Sequence, residues 1–204
     1  LRGRGRHLRG ALAEAEQLLV HFVNQGGVRW RDDGRGVVLA GHDAVVETAG
    51  SVFSPDHVDQ GTAVLLEQLN QAPAGGNILD VGCGKPTFLA SLSKTCNAHF
   101  IGLDFSAEGW MNDAHAYANL ELRTGEIGDL TDDKAMDVIT MWHYLEHDYN
   151  PQKHLRQLLK VAHSNTKLIV EVPNFDSYTR RRFGKNWSGY HTPRHTALYS
   201  PNNI

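Results

Sequence analysis

Cysteine is scarce: Cys83 and Cys96 are the only two in 204 residues. They stand apart and neither belongs to a Cys-x-x-Cys pair, so a disulfide framework and a thiolate zinc site both lack support, and a reducing cytoplasm is the compartment that fits. Long apolar runs are missing too. No stretch approaches the roughly 20 residues of a membrane span. The segment after the arginine-rich start, ALAEAEQLLVHFV, carries Glu14 and Glu16 where a secretory signal needs an uncharged apolar core. Neither sign of charge dominates: Lys and Arg number 20 against 23 Asp and Glu, a net charge of -3. No global positive excess argues for gripping a nucleic-acid backbone, and no nucleic-acid partner is expected. There is no internal repeat, so the chain does not read as a stack of units.

What is present suits one well-packed domain plus an extension, with 41% hydrophobic residues. Residues 1–10, LRGRGRHLRG, form an Arg/Gly arm without apolar periodicity and are read as a flexible, solvated terminus. Residues 11–76 are an N-terminal extension. Its first part, Ala11 to Val23, predicts a helix with Leu12, Ala15, Leu19 and Phe22 on one side, stopped by Gly26-Gly27. VRWRDDGRGVVLAGHDAVVE alternates apolar and polar residues around Asp33-Gly34, the pattern of a small hairpin. Val58 to Leu69 predicts a second helix, followed by the loop QAPAGG.

From Asn77 the character changes, and residues 77–204 form the main domain. Short apolar runs alternate with helical segments, which predicts an α/β fold with a doubly wound, mostly parallel sheet covered on both faces. Strands are expected at Ile78 to Val81, Phe100 to Asp104, Glu121 to Thr124, Asp137 to Met141 and Lys167 to Val172. Helices are expected at Pro86 to Lys94, Glu108 to Ala118 and Pro151 to Ala162. The sequence starts at Leu1 rather than Met. It stops at SPNNI, which reads as the opening of a further helix with Ser200 as cap and Pro201 at its first position. The expectation is a piece of a longer chain in which the closing strands of the sheet are missing. An open sheet edge would then invite pairing with another copy, so a homodimer is considered.

The stretch ILDVGCGKPTFL, Ile78 to Leu89, is the most informative. A strand running into a glycine turn and then a helix aims backbone N–H groups and the positive end of a helix dipole at one point, while missing side chains let a ligand come close. That builds a site for a nucleotide-like cofactor, and two compete. A dinucleotide such as NAD wants Gly-x-Gly-x-x-Gly, but the last position here is Thr87. The other pattern is an acid followed by Gly-x-Gly-x-Gly, which Asp80, Gly82 and Gly84 satisfy up to Pro86. Proline is tolerated in the first helical turn, where its missing N–H has no partner and its φ is already suitable, so Pro86 is expected to alter the loop and weaken cofactor binding, through a lost donor and an added ring, without abolishing it.

This segment resembles motif I of the class I S-adenosylmethionine-dependent methyltransferases. The resemblance continues in order through Asp104, Gly125-Glu126-Ile127, MDVITMWHYLEH and VEVPNFDSYTRRRFGKNWSGYHTPRHTALYSP. The last of these looks like the branch that includes ubiquinone-biosynthesis-type O-methyltransferases. It covers roughly Asn77 to the C-terminus and implies a Rossmann-like fold with S-adenosylmethionine as cofactor. Asp104, about twenty residues past the glycines at a strand end, is placed to accept both hydroxyl protons of a ribose. Its other reading is a helix cap ahead of Ser106 and Glu108. Glu126 and Ile127 match positions that flank the adenine, although Asp129 is close enough to take the polar part. Asp80 orients the loop's amides or, through water, the amino group of the cofactor; satisfying backbone donors is its structural alternative. Cys83, Phe105 and Trp142 complete the expected cofactor set.

MWHYLEH brings His143, Glu146 and His147 to the ligand-bearing sheet edge, and these are the expected catalytic residues. Methyl transfer from a sulfonium needs alignment and exclusion of water more than acid catalysis, and with a hydroxyl acceptor a base such as His143 or His147 helps. The same letters spell His-x-x-Glu-His, a zinc-peptidase pattern, but a strand feeds it directly and a helix does not. A divalent metal aiding a catechol-like acceptor is the second metal reading, and a capping role for His147 is the plain one. No resident metal is expected. Pro173 to Tyr199 is long, polar and aromatic, and is read as a lid. In it Trp187, Tyr190, His191, Arg194 and His195 are the expected contacts for a small-molecule acceptor, with Phe183 able to cover an apolar ring. TRRR is read as solvated, with phosphate or membrane contact as the alternative. The function expected is methyl transfer to a small molecule, at a hydroxyl oxygen. The alternatives are a cofactor-binding module without turnover and, less favoured, an NAD-dependent oxidoreductase.

Overall fold

The computed structural model describes residues 75–131 and 135–204 and, ahead of them, the backbone of five strands. These are β1 (Gln17–Val23), β2 (Val28–Trp30), β3 (Val37–Leu39), β4 (His42–Asp43) and β5 (Val45–Glu47). The main domain follows as β6 (Asn77–Val81), α1 (Thr87–Leu92), β7 (His99–Asp104), β8 (Glu121–Thr124), β9 (Met136–Trp142), α2 (Pro151–Leu158), β10 (Ala162–Pro173) and α3 (Tyr178–Phe183). The arm 1–10, the turn residues Asp33 and Gly34 and the expected helix Val58 to Leu69 lie outside the described residues.

The large sheet has the order β5-β1-β10-β9-β6-β7-β8. From β10 to β8 every pairing is parallel, which is the doubly wound arrangement expected. The chain steps one way from β6 through β7 to β8, then returns to the other side of β6 for β9 and β10. Right-handed crossovers in opposite directions put their helices on opposite faces, and the packing agrees. Ile78, Phe100, Val138 and Ile169 meet Leu89 and Leu92 of α1 on one face. Leu79, Val81, Ile101, Leu103, Ile139 and Met141 meet Leu158 of α2 on the other. Alternate residues of one strand thus serve two cores, which is why these strands read as continuous apolar runs. The order reverses between β6 and β9, and ligands of open α/β sheets bind beyond the carboxyl ends of the strands at that point.

Two expected helices are corrected. Within Ala11 to Val23, residues Gln17–Val23 are the strand β1, antiparallel to β10 from Gln17 opposite Pro173 to Val23 opposite Lys167. QLLVHFV is nearly unbroken in apolar residues, and a short run of that kind fits a strand as well as a helix until a partner edge decides. The same pairing covers the β10 edge that the sequence reading left open. Glu108 to Ala118 folds as successive turns ending in a 3-10 turn, Ala114–Tyr117. Gly109 and the pair Asn112-Asp113 are weak helix formers. Gly109 also lies so close to the glycine loop that a Cβ on it would stand 2.2 Å from the Gly84 carbonyl oxygen. The hairpin is as expected at its strands, with Val28 opposite Leu39 and Trp30 opposite Val37.

Candidate active site

The loop after β6 is held from below. Gly82 and Cys83 donate their N–H groups to the Leu103 carbonyl at 2.7 and 3.1 Å. Gly82 sits at φ +73°, and a Cβ there would come within 2.4 Å of the Tyr144 ring, so that ring forms one wall of the turn. Gly84, at φ +46°, has no atom within 4 Å of where a Cβ would stand, which leaves its outer side open. Pro86 is the N-cap residue of α1 with φ -77°, and its carbonyl accepts the Ala90 N–H at 3.0 Å. It therefore starts the helix, is buried, and does not face the opening.

Asp80 is 2 % exposed and accepts a hydrogen bond from the Thr140 hydroxyl at 2.7 Å. Burial pushes its carboxyl up to about 7, opposed by the Thr140 bond and reinforced by the negative charge of Asp104. A carboxyl raised above its unfolded value contributes stability that is complete below about pH 4 and is lost as the pH rises through about 7. Asp80→Asn, which cannot ionise, is expected to escape this. Relative to the variant, the native chain should lose about 4 kcal/mol of unfolding free energy between those limits, read from urea melts at successive pH values. Parallel curves for the two proteins would refute it.

Asp104 ends β7 and ties the loop together: its carboxylate accepts the Gly84 N–H at 2.9 Å and the Ser106 N–H at 3.1 Å. The capping reading and the ligand-binding reading are therefore compatible. Asp104, Phe105, Gly125, Glu126 and Ile127 line a cavity of about 580 Å³ together with Gly82, and Phe105 is 82% exposed there. That volume suits a cofactor-sized ligand. Asp129 is engaged elsewhere: its carboxylate accepts the Glu126 N–H at 2.8 Å in a capping box over the 3-10 turn Ile127–Asp129. Two expected cofactor contacts point away. The Cys83 side chain packs with Trp110 and Tyr117, and burial pushes its thiol up to about 12. Trp142 turns to the α1 face against Phe88, with ring centroids 5.1 Å apart, because strand alternation sends it opposite to Met141.

The far wall of the cavity is the segment after β9, with His143, Tyr144, His147, Asp148, Tyr149 and His154. Tyr144 and Tyr149 were not singled out from sequence. His143 adopts φ 49°, a left-handed conformation uncommon for histidine, which places its ring between two carboxylates. Its Nδ1 lies 3.0 Å from Glu146 Oε1 and its Nε2 3.4 Å from Glu171 Oε1. Hydrogen bonding to Glu146 and Glu171 raises its pKa to about 10. His143 is therefore an imidazolium at neutral pH, unsuited to the base role expected of it, and both ring nitrogens are taken, so it is also no metal ligand. His147, in contrast, donates Nδ1–H to the Arg194 carbonyl at 3.0 Å, the bond that in a neutral ring makes Nε2 the acceptor.

None of the five expected lid residues lines this cavity. Trp187 is buried in an aromatic cluster with Phe175 and Tyr190 and serves as the lid's own core. Tyr190 borders a second, more open cavity of about 490 Å³ with Arg180, Arg181, Lys185 and Thr192. His191 and Arg194 are exposed, and His195 stacks edge-on against His147 at 4.7 Å. The lid is fastened by Thr196, whose N–H donates to the Glu146 carbonyl and whose hydroxyl donates to the Asp148 carbonyl, both at 2.8 Å.

Residues 57–204 match the family model described as "Methyltransferase domain". The chain belongs to that family. It is 29% identical over 198 aligned residues to an uncharacterised 37.1 kDa protein in transposon TN4556 of Streptomyces fradiae, covering 84% of this chain and 57% of that protein. A ribosomal RNA small subunit methyltransferase C of Acinetobacter baumannii is 39% identical over 72 residues, 35% of this chain and 21% of that enzyme. The methyltransferase domain thus spans less than two thirds of these relatives' lengths. Among solved structures it is similar in fold to the plantazolicin methyltransferase BpumL, solved with a pentazolic desmethylPZN analogue and SAH. The TM-score is 0.51 at 24% identity, over 61% of this chain and 49% of that one.

Proposed function

We propose that this methyltransferase domain binds S-adenosylmethionine in the cavity bounded by Gly82, Asp104 and Ile127 and transfers its methyl group to a hydroxyl of a small molecule. The supporting observation is the cradle itself. Gly84 is open where a side chain would block a ligand, and the half-buried Asp104 carboxylate lines the same cavity as the apolar Ile127 and the exposed Phe105 ring. A carboxylate suits ribose hydroxyls, and a flanking apolar pair suits an adenine. When bound, the cofactor supplies a methyl group activated on a sulfonium sulfur. The chain's own residues supply alignment and dryness: Tyr144 walls the glycine turn, and Glu146 orients His143 as a fixed positive charge at the rim. His147 presents the free imidazole lone pair to which an acceptor hydroxyl can donate. The similarity to the ubiquinone-type O-methyltransferase branch supports oxygen as the acceptor atom. The match to an RNA methyltransferase is too short to bring that substrate with it.

Calorimetric titration with S-adenosylmethionine and S-adenosylhomocysteine, with NAD as control, tests the cofactor. The native chain is expected to bind both adenosyl compounds. Pro86→Gly should change the affinity by no more than about threefold, because Pro86 starts α1 without facing the cavity. Binding only by the variant would show a site disabled by the proline, and preference for NAD would overturn the reading. His147→Ala is expected to lower turnover on phenolic or aliphatic alcohol acceptors by a larger factor than it lowers cofactor affinity. Cofactor binding with no turnover on any acceptor would favour a binding module.

A further inference from the structure

Beside the cavity, Glu146, His147 and His195 each place one ligand-type atom within 4.8 Å of the others, the grouping of metal-ligating side chains found among the described residues. Three further facts distinguish it from an incidental cluster. Glu146 is 1% exposed, and its Oε2 is buried without a hydrogen-bond partner, while its Oε1 is held by His143. A buried carboxylate oxygen left unpaired demands a partner. Each histidine also donates Nδ1–H to a backbone carbonyl, His147 to Arg194 at 3.0 Å and His195 to Gly189 at 2.7 Å. That pattern fixes the tautomer with the Nε2 lone pair outward and is how metal-binding histidines are typically oriented. Finally, the strongest competing cation, His143, is already committed to Glu146 and Glu171 through both ring nitrogens.

We infer that Glu146, His147 and His195 form a binding site for a divalent transition metal of the zinc or cobalt type, which joins the lid to the sheet edge. Two imidazoles and one carboxylate are the borderline ligand set that such ions take, and three protein ligands leave a fourth position open. His143 then holds the carboxylate from behind, as a supporting hydrogen bond to a ligand does. Of the three ligands His147 is exposed and lines the cofactor cavity, so the site borders that cavity. If the methyl-transfer reading holds, an acceptor oxygen can occupy that position in place of water, and the His147 lone pair then serves the metal rather than the acceptor. The site itself does not depend on that reading.

The test uses the full chain, freed of metal by chelator and titrated with Co(II) in the absence of cofactor and acceptor. The expected result is uptake of one equivalent with the visible absorption bands of a four-coordinate Co(II) centre, displaced by Zn(II). His195→Ala and Glu146→Gln should each weaken Co(II) binding by about 100-fold or more, whereas His115→Ala, an exposed residue of the 3-10 turn Ala114–Tyr117, should not change it. Circular dichroism of each variant shows that it is folded. If a variant fails to fold, the native titration still decides: no stoichiometric uptake overturns the proposal. Uptake unaffected by the loss of His195 would place the metal elsewhere and overturn it equally. Because no cofactor is present, failure here leaves the methyl-transfer reading standing.

Discussion

Asp104→Ala is expected to weaken binding of S-adenosylhomocysteine by about 100-fold, the loss of roughly 3 kcal/mol carried by charge-assisted bonds to two ribose hydroxyls. The carboxylate ends β7 and lines the cavity, where it also fastens the loop through the Gly84 and Ser106 N–H groups. Alanine removes both functions, so the loop could loosen and contribute to the loss. Asp104→Asn separates them: the amide oxygen can still accept from Gly84, but the side chain no longer offers two negative oxygens to a diol. Its loss should be about 10-fold, by the smaller strength of neutral hydrogen bonds. Calorimetry gives the affinities and a thermal melt reports the loop. Unchanged affinity in Asp104→Ala would mean that Asp104 is only a cap and that the ribose lies elsewhere.

Gly82→Ala is expected to be strongly destabilising for the addition of a single methyl group. At φ +73° an alanine costs about 1–2 kcal/mol in backbone strain. Its Cβ would also stand 2.4 Å from the Tyr144 ring, which must move. Together these should remove roughly 3 kcal/mol, lowering the melting temperature by about 6–10 °C for a chain of this size. Cofactor affinity should fall as well, since Tyr144 lines the cavity. The double-mutant cycle with Tyr144→Ala isolates the ring contact: in that background the strain and a 3.3 Å contact with the Cβ of residue 144 remain, and the loss should drop by up to half. Equal losses in both backgrounds would show that Tyr144 does not wall the turn.

The two experiments differ in how far the residues involved were readable. Asp80, Gly82 and Gly84 are recognisable because a strand end, a turn that needs positive φ and a helix start follow one another within a dozen residues, and each step restricts the next; Asp104 is recognisable because it ends the following strand, 20 residues past Gly84. Tyr144 is not recognisable as the wall of that turn, since β9 comes beside β6 only by long-range strand pairing, Ile78 to Val81 against Val138 to Met141. The direction of Trp142 is hidden for the same reason: the strand is legible, but which of its alternating residues face the cavity depends on the crossover that precedes it. Histidine usually titrates near neutrality, so the sequence suggests His143 as a base. Glu171, one strand over, completes the carboxylate pair that keeps it charged.

The N-terminal strand and the lid mark the limit of sequence reading. QLLVHFV is compatible with a helix or a strand, and the unpaired edge of β10 decided between them by offering a ladder of hydrogen bonds. His195 lies far from His147 in sequence and has no spacing pattern that would join them. Their contact arises because Thr196 fastens the lid to the backbone of Glu146 and Asp148. Contiguous residues carry the doubly wound fold, its family resemblance and the glycine loop with its two acids, because periodicity, turn chemistry and spacing along the chain are local properties. Which side chains enter the cavity, which imidazole carries a fixed charge and which side chains converge beneath the lid are properties of the folded chain. Burial, pairing and electrostatic environment are set by strands and loops that meet across long sequence separations.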